Sequence, residues 1–239
     1  MNSWDLLQSK LKKEEILLKE DQLEKLQQFM TLLQEWNKVM NLTAIKDEAG
    51  IISKHFIDSL LYAKNAGVLN VNKVLDLGTG AGFPGIPLKI WQPDLPITLV
   101  DSLRKRINFL AEVIKILDLK NIELVHGRAE DIGKNDDYRE KYDLVLSRAV
   151  ASLPVLVEYC LPLVKVGGKF AAAKGPDYDH ELAEGKNAVK ILGGELKKVF
   201  FYTLPPTEDQ RSVLLFKKVA LTPAKYPRKA GQPEKSPLK

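Results

Sequence analysis

The chain has 239 residues, 45% of them hydrophobic and 28% charged, with a formal net charge of +5; this is enough to bury the core of one α/β domain with an appendage. A single cysteine, Cys160, excludes an intrachain disulfide scaffold, and no apolar run approaches the length of a membrane span or of a signal-peptide core. A cytoplasmic protein without a membrane partner is expected, with Cys160 an inert thiol inside the apolar stretch Leu153 to Val166.

Residues 1–66 read as helices. Leu26, Phe29, Met30, Leu33, Trp36 and Met40 recur at steps of three and four and make one apolar face. A second helical pattern runs from about Glu48 to Ala66 after the connection Asn41 to Ile45. It carries Lys54, His55 and Asp58 at neighbour spacing, so that Lys54 and Asp58 either pair or face the site downstream. From Lys73 onward, short β-runs (Val74 to Leu77, Ile97 to Val100, Ile122 to Val125, Leu144 to Leu146, Phe170 to Ala173) alternate with helical patterns, the signature of a parallel, doubly wound sheet. Lys197 to Leu204 and Ser212 to Val219 are separated only by the loop from Pro205 to Arg211 and predict a terminal antiparallel hairpin. The expected fold is α/β, a Rossmann-like class I methyltransferase sheet, mostly parallel with that hairpin at its end. Residues 1–70 form a helical extension packed on the core, 71–219 the ligand-binding α/β domain, and 220–239 a basic arm.

The arm is where the charge lies. Residues 217–239 hold seven basic side chains and one acid, a net +6 that leaves −1 for everything before it. Pro223, Pro227, Pro233 and Pro237 disfavour a regular helix there. The segment reads either as an extended arm for nucleic-acid phosphates, with Arg228 and Lys229 in contact, or as a frayed terminus.

The first β-run enters Asp76-Leu77-Gly78-Thr79-Gly80-Ala81-Gly82-Phe83-Pro84-Gly85, a glycine turn that brings backbone close to a ligand, and Asp101 closes the next run where ribose hydroxyls fall. The same letters satisfy a dinucleotide fingerprint. Asp76 argues for a cationic ligand over a pyrophosphate, and hence for S-adenosylmethionine over NAD. Ligands of such sheets bind beyond the carboxyl ends of the strands, which nominates Gly78 to Phe83, Asp101 to Arg104, His126 to Asp131, Ser147 to Ala149 and Lys174 to Pro176 as one rim, with Asp76, Gly78, Gly80, Gly82, Phe83, Asp101, Glu130 and Arg148 as candidates for the cofactor. After the third run, Glu130 or Asp131 is placed to accept from an adenine amino group. His126 reads as structural, and no His, Cys or acid cluster has metal-ligand spacing.

After the fourth run stands Ser147-Arg148-Ala149-Val150, where methyltransferases of exocyclic amines carry an Asn-Pro-Pro-Tyr type motif. A ring nitrogen with an exposed lone pair, such as guanine N7, needs no such clamp and loses no proton, so no catalytic base is obligatory and Arg148 and Ser147 stand as positioning residues. The Arg148 fork suits a methionine carboxylate, guanine O6 or a phosphate, or a salt bridge to Asp143 or Glu158. Arg104, Lys105 and Arg106 sit at the start of the helix running to Leu117, the end that repels cations, and suggest an external anion. With Arg128, Lys174, Lys54, His55 and the arm they trace a candidate phosphate track.

Trp36-Asn37-Lys38-Val39-Met40-Asn41-Leu42-Thr43, His55-Phe56-Ile57-Asp58-Ser59-Leu60, Asp76 to Pro87, Arg128-Ala129-Glu130, Ser147-Arg148-Ala149 and Tyr226-Pro227-Arg228-Lys229 together resemble the RsmG (glucose-inhibited division protein B) family over most of the chain. The resemblance implies N7 methylation of one guanine in a loop of the 16S ribosomal RNA, with S-adenosylmethionine as donor; the expected partner is that RNA, free or in the small-subunit particle, and the expected state a monomer. It also implies cofactor contacts by Gly78, Phe83, Ala129, Glu130 and Arg148. Two other readings compete: an NAD(P)-dependent oxidoreductase, and a non-catalytic RNA-binding protein with a methyltransferase-like fold.

Overall fold

The computed structural model describes residues 2–238; Met1 and Lys239, one of the tail's seven basic residues, lie outside the described residues. The first helix, α1 (Ser3–Lys13), opens on Asn2, whose side chain accepts from the Asp5 amide while Asp5 accepts in return from the Asn2 amide. In α2 (Glu20–Met40) the stripe Leu26, Phe29, Met30 and Leu33 is buried, as its spacing predicts. The second helical pattern is divided: α3 (Glu48–Ile51), a π-helical turn over Ile52–Ile57, and α4 (Asp58–Asn65) run on without a break. That wide turn carries Lys54 and His55, and such turns mark functional positions.

The alternating half follows as β1 (Val74–Leu77), α5 (Gly85–Trp91), β2 (Ile97–Asp101), α6 (Arg104–Ile116), β3 (Ile122–His126), α7 (Ala129–Ile132), β4 (Tyr142–Arg148), α8 (Leu153–Cys160), β5 (Val164–Lys174), α9 (Tyr178–Ile191), β6 (Gly194–Leu204), β7 (Asp209–Lys218) and α10 (Gln232–Lys235). The sheet order is β3-β2-β1-β4-β5-β7-β6. The first five strands pair in parallel, and β7 inserts between β5 and β6, antiparallel to both, so it alone runs against the rest. Strand order reverses beside β1, with Val74 in register with Ile97 on one side and Leu144 on the other. That switch point sets the glycine turn after β1 next to Arg148 at the end of β4.

Each face of the sheet is covered. On one, Leu26, Phe29, Phe56 and Leu60 from the N-terminal helices pack with Ile86, Phe109, Leu144 and Leu146 in a continuous cluster. Gln22 donates to the carbonyls of Ile90 and Trp91, and the Trp36 indole N–H to Glu112, which ties α2 to α5 and α6. On the other face, Leu156 and Cys160 of α8 and Val189 of α9 pack with Val145, Phe170 and Phe216. Burial pushes the Cys160 thiol well above its ordinary range, so it stays protonated.

The tail corrects both expectations for it. It is neither an extended arm nor frayed: it folds back on the second face and ends in the short helix α10. Tyr226, Pro227 and Pro233 are buried. The Arg139 guanidinium donates to the carbonyls of Thr222 and Tyr226. Arg228 forms a bidentate pair with Glu158, whose carboxylate is fully buried and demands a cation. Among the described residues no helix is long and apolar enough to cross a membrane.

Candidate active site

The glycine turn is held from beneath. Asp76 is fully buried, and its Oδ2 accepts from the Thr79 hydroxyl (2.8 Å) and the Gly85 amide (2.9 Å), while Oδ1 has no hydrogen-bond partner. Burial accordingly lifts its pKa to about 6. Gly78 has φ of +72°, and a Cβ there would stand 2.4 Å from Val150 Cγ2, so both the conformation and the space require glycine. Asp101 ties the turn to β2: its Oδ2 accepts from the Gly80 amide (2.9 Å) and Arg106 (3.2 Å), and its Oδ1 from the Leu103 amide.

Two cavities open on this rim, on either side of the segment Arg148–Val150. The smaller, about 150 Å³, is lined by Gly78, Asp101, Ser102, Gly127, Arg128, Ala129, Glu130, Val150 and Tyr159, and by Gly231 and Glu234 of the tail. The larger, about 420 Å³, is lined by Lys54, His55, Asp58, Arg148, Ala149, Lys174 and Arg211. Four of those side chains are cationic against one carboxylate.

Arg148 stands at the larger cavity in a fixed pose. Its Nη1 donates to Asp58 Oδ2 at 2.5 Å and to the Lys54 carbonyl at 3.2 Å, and its Nη2 reaches His55 Nδ1 at 3.4 Å. Asp58 Oδ1 accepts from the Tyr202 hydroxyl at 2.7 Å. The imidazole of His55 stacks on Phe83 at 4.4 Å and meets Thr43 Oγ1 at 2.8 Å through Nε2. Asn37 holds Thr43 by two bonds to its backbone. The helical extension thus positions the residues of the sheet rim.

The rRNA small subunit methyltransferase G (GidB) profile matches residues 22–212. Proteins named "Ribosomal RNA small subunit methyltransferase G" are similar along almost the whole length: that of Alkaliphilus oremlandii is 52% identical over 91% of each chain, and that of Desulforamulus reducens 52% identical over 97% of each. This chain belongs to that family. Its fold is shared with a SAM-dependent methyltransferase from Aquifex aeolicus, at a TM-score of 0.55 and 17% identity over 75% of this chain and 97% of that one. Like other members of the methyltransferase G family, the chain is a methyltransferase, and its methyl donor is S-adenosylmethionine.

The residues present fit that donor better than a dinucleotide. The Gly85 amide, which a pyrophosphate at the start of α5 would need, is already given to Asp76. Acceptors, from Glu130, Glu234 and Asp101, dominate the small cavity, as a nucleoside rich in N–H and O–H groups requires.

Several expected site residues of this family member do other work. Asp76 lies beneath the turn and does not line either cavity; it braces the backbone that a ligand would meet. Ser147 is also fully buried, its hydroxyl donating to the Leu77 carbonyl and its amide to Tyr62, so it clamps β4 to β1 instead of reaching a substrate. Phe83 is nearly buried, with its ring among His55, Phe29 and Phe56, and it supports His55 and Arg148 from below. Arg148 pairs with Asp58, not with Asp143 or Glu158. Lys54 pairs with Asp209 and not with Asp58.

Among the basic residues, Arg106 is taken by Asp101, Lys174 by Glu181 and the Ala151 carbonyl, and Arg228 by Glu158. They are structural cations, not an open phosphate track. Arg104, Arg128 and Lys229 are exposed. His126 makes the bond to the Ser102 carbonyl that a structural histidine would. Sequence reasoning missed Tyr62, Thr43, Tyr159, Tyr202 and Arg211, together with the tail residues Gly231 and Glu234.

His55 is neutral. Burial and the Arg148 charge lower its pKa to about 3. In the unfolded chain the imidazole takes a proton below about pH 6.5, whereas in the fold it does not until near 3, so the stability it contributes falls as pH falls through that window. Asp76 has the opposite sign, since its raised pKa favours the fold as pH drops below about 6. The difference between the parent protein and His55→Gln isolates the histidine. Urea unfolding at pH 6.5 and 4.5 is expected to show about 2–3 kcal/mol less acid destabilisation in the variant.

Proposed function

We propose that this protein transfers a methyl group from S-adenosylmethionine to N7 of a guanine in the small-subunit ribosomal RNA, acting as a monomer in the cytoplasm. The donor, when bound, supplies a methyl group made electrophilic by its positive sulfur. The smaller cavity is assigned to its adenosine part, through Gly78, Asp101, Ala129 and Glu130. The larger is assigned to the target base, with Arg148 at the boundary.

One observation carries the choice of atom. Of the residues lining the larger cavity, only His55 and Asp58 could take a proton. Both ring nitrogens of His55 are engaged and its pKa is depressed, while Asp58 is bound by Arg148 and Tyr202. No base stands ready, which suits an acceptor that loses no proton. The N7 lone pair forms the new C–N bond, the S–C pair returns to sulfur, and the positive charge passes to the base. Arg148, fixed by three contacts, is suited to orient the base by donating toward O6. Lys54, Arg211, Arg104, Arg128 and Lys229 would meet the flanking phosphates.

The test is methyl transfer from labelled donor to small-subunit particles, and to naked 16S RNA, from cells lacking this gene. Borohydride reduction followed by aniline, which cuts RNA at N7-methylguanine, is expected to cleave at one position. Label that resists this cleavage, or no label in ribosomal RNA, would overturn the assignment.

A further inference from the structure

The tail supplies a feature of the small cavity that no sequence motif announced. Tyr159 presents its hydroxyl between two carboxylates, 3.4 Å from Glu130 Oε1 and 3.4 Å from Glu234 Oε1. Burial, and then the two neighbouring acids, push the phenol well above its ordinary value, so it keeps its proton at any physiological pH. One hydrogen is thus shared between two acceptors at a long distance. Glu130 Oε1 gains a second donor from the Gly231 amide at 2.8 Å, whereas Glu234 is exposed and has none of comparable quality. On the side that lines the cavity the pair presents acceptor oxygens, with the Tyr159 hydroxyl as the one donor between them.

Two carboxylates converging on the small cavity call for a ligand group with two N–H donors. A 6-amino purine offers that group; a 6-oxo purine would bring a third acceptor and be repelled. We infer that Glu234, held over the cavity by the docked tail, acts with Glu130 to select the 6-amino purine of the cofactor. The inference rests on the assignment of S-adenosylmethionine to this site. It gives the C-terminal segment a binding role on the cofactor side, where its charge had suggested one toward RNA. The segment is kept in place by bonds independent of Glu234: the Arg228–Glu158 pair, the Gly231–Glu130 bond and the Arg139 contacts to the Thr222 and Tyr226 carbonyls.

Glu234 is exposed, so Glu234→Ala leaves the fold intact, and an unchanged thermal midpoint checks this. The experiment is calorimetric titration of the full chain, Glu234→Ala and Glu234→Gln with S-adenosylhomocysteine and with its 6-oxo (inosyl) analogue. The full chain is expected to prefer the 6-amino ligand by at least tenfold. Glu234→Ala should weaken that ligand five- to tenfold while leaving the 6-oxo ligand unchanged or tighter. Glu234→Gln, which keeps an acceptor oxygen, should recover part of the preference. Equal loss for both ligands would reduce Glu234 to a structural wall, and no change for either would remove it from the site; each overturns the inference. If the full chain binds neither ligand, the cofactor assignment fails and takes this inference with it, whereas tight binding without discrimination defeats the inference alone.

Discussion

Arg148→Met is expected to lower methyl transfer by about 10²–10³-fold, the loss found when one preorganised donor is removed from a reacting centre. The guanidinium is fixed by Asp58, the Lys54 carbonyl and His55, and it borders the segment dividing the two cavities. Methionine fills the same length with no donor, so the acceptor base loses its orientation while the cofactor cavity is left as it was. Affinity for S-adenosylhomocysteine should therefore change much less than the rate. Breaking a buried ion pair costs about 3–5 kcal/mol when the remaining charge is stranded. Here Asp58 retains the Tyr202 hydroxyl and has Arg211 at 3.8 Å, so the stability loss should fall toward the lower end of that range. Arg148→Lys keeps the charge and loses the fork, and should lie between the two. Single-turnover transfer with urea melts on the same preparations checks the set; a methionine variant with a near-normal rate would remove Arg148 from the reaction.

The second large effect is on stability. Glu158 is fully buried in α8 and receives the Arg228 side chain through Nε and Nη2, at 2.6–3.1 Å, as well as the Arg228 amide. Arg228→Met strands that carboxylate and is expected to cost about 3–5 kcal/mol. The tail should loosen, with faster proteolysis beyond residue 220 and weaker binding of S-adenosylhomocysteine, since Gly231 and Glu234 line its cavity. RNA affinity should fall no more than expected from the population of loosened protein. Arg228→Met combined with Glu158→Leu, which removes the stranded charge, should recover much of the stability. If the single variant lost RNA binding at full stability and full cofactor affinity, Arg228 would be a phosphate contact after all.

The glycine turn, the alternation of strands with helices and the ends of β1 to β4 were legible because each is a local pattern: φ-permissive residues, short continuous apolar runs buried on both faces of the sheet, and a carboxylate closing a run. The wiring of Arg148 was not. Its partner Asp58 lies 90 residues away, and Asp143 and Glu158 look equally good in one dimension. The hydrogen-bond chain from Asn37 through Thr43 to His55 was present only as letters of a motif, because nothing in Trp36-Asn37 reports that α2 reaches the sheet rim. The tail was misjudged for a related reason. Counting charges placed Arg228 among the cations facing outward, but a fully buried Glu158 reverses that expectation, and burial of an acid in α8 cannot be read from an apolar run that contains it.

Seven strands are complete before residue 231 is made, yet the small cavity takes part of its wall from Gly231 and Glu234. A chain cut back to residue 218 would retain every residue of the seven strands while its donor site lacked one side. The same order makes a fusion joined after residue 238 a poor choice for assays, since it would hang from the wall of the pocket being measured.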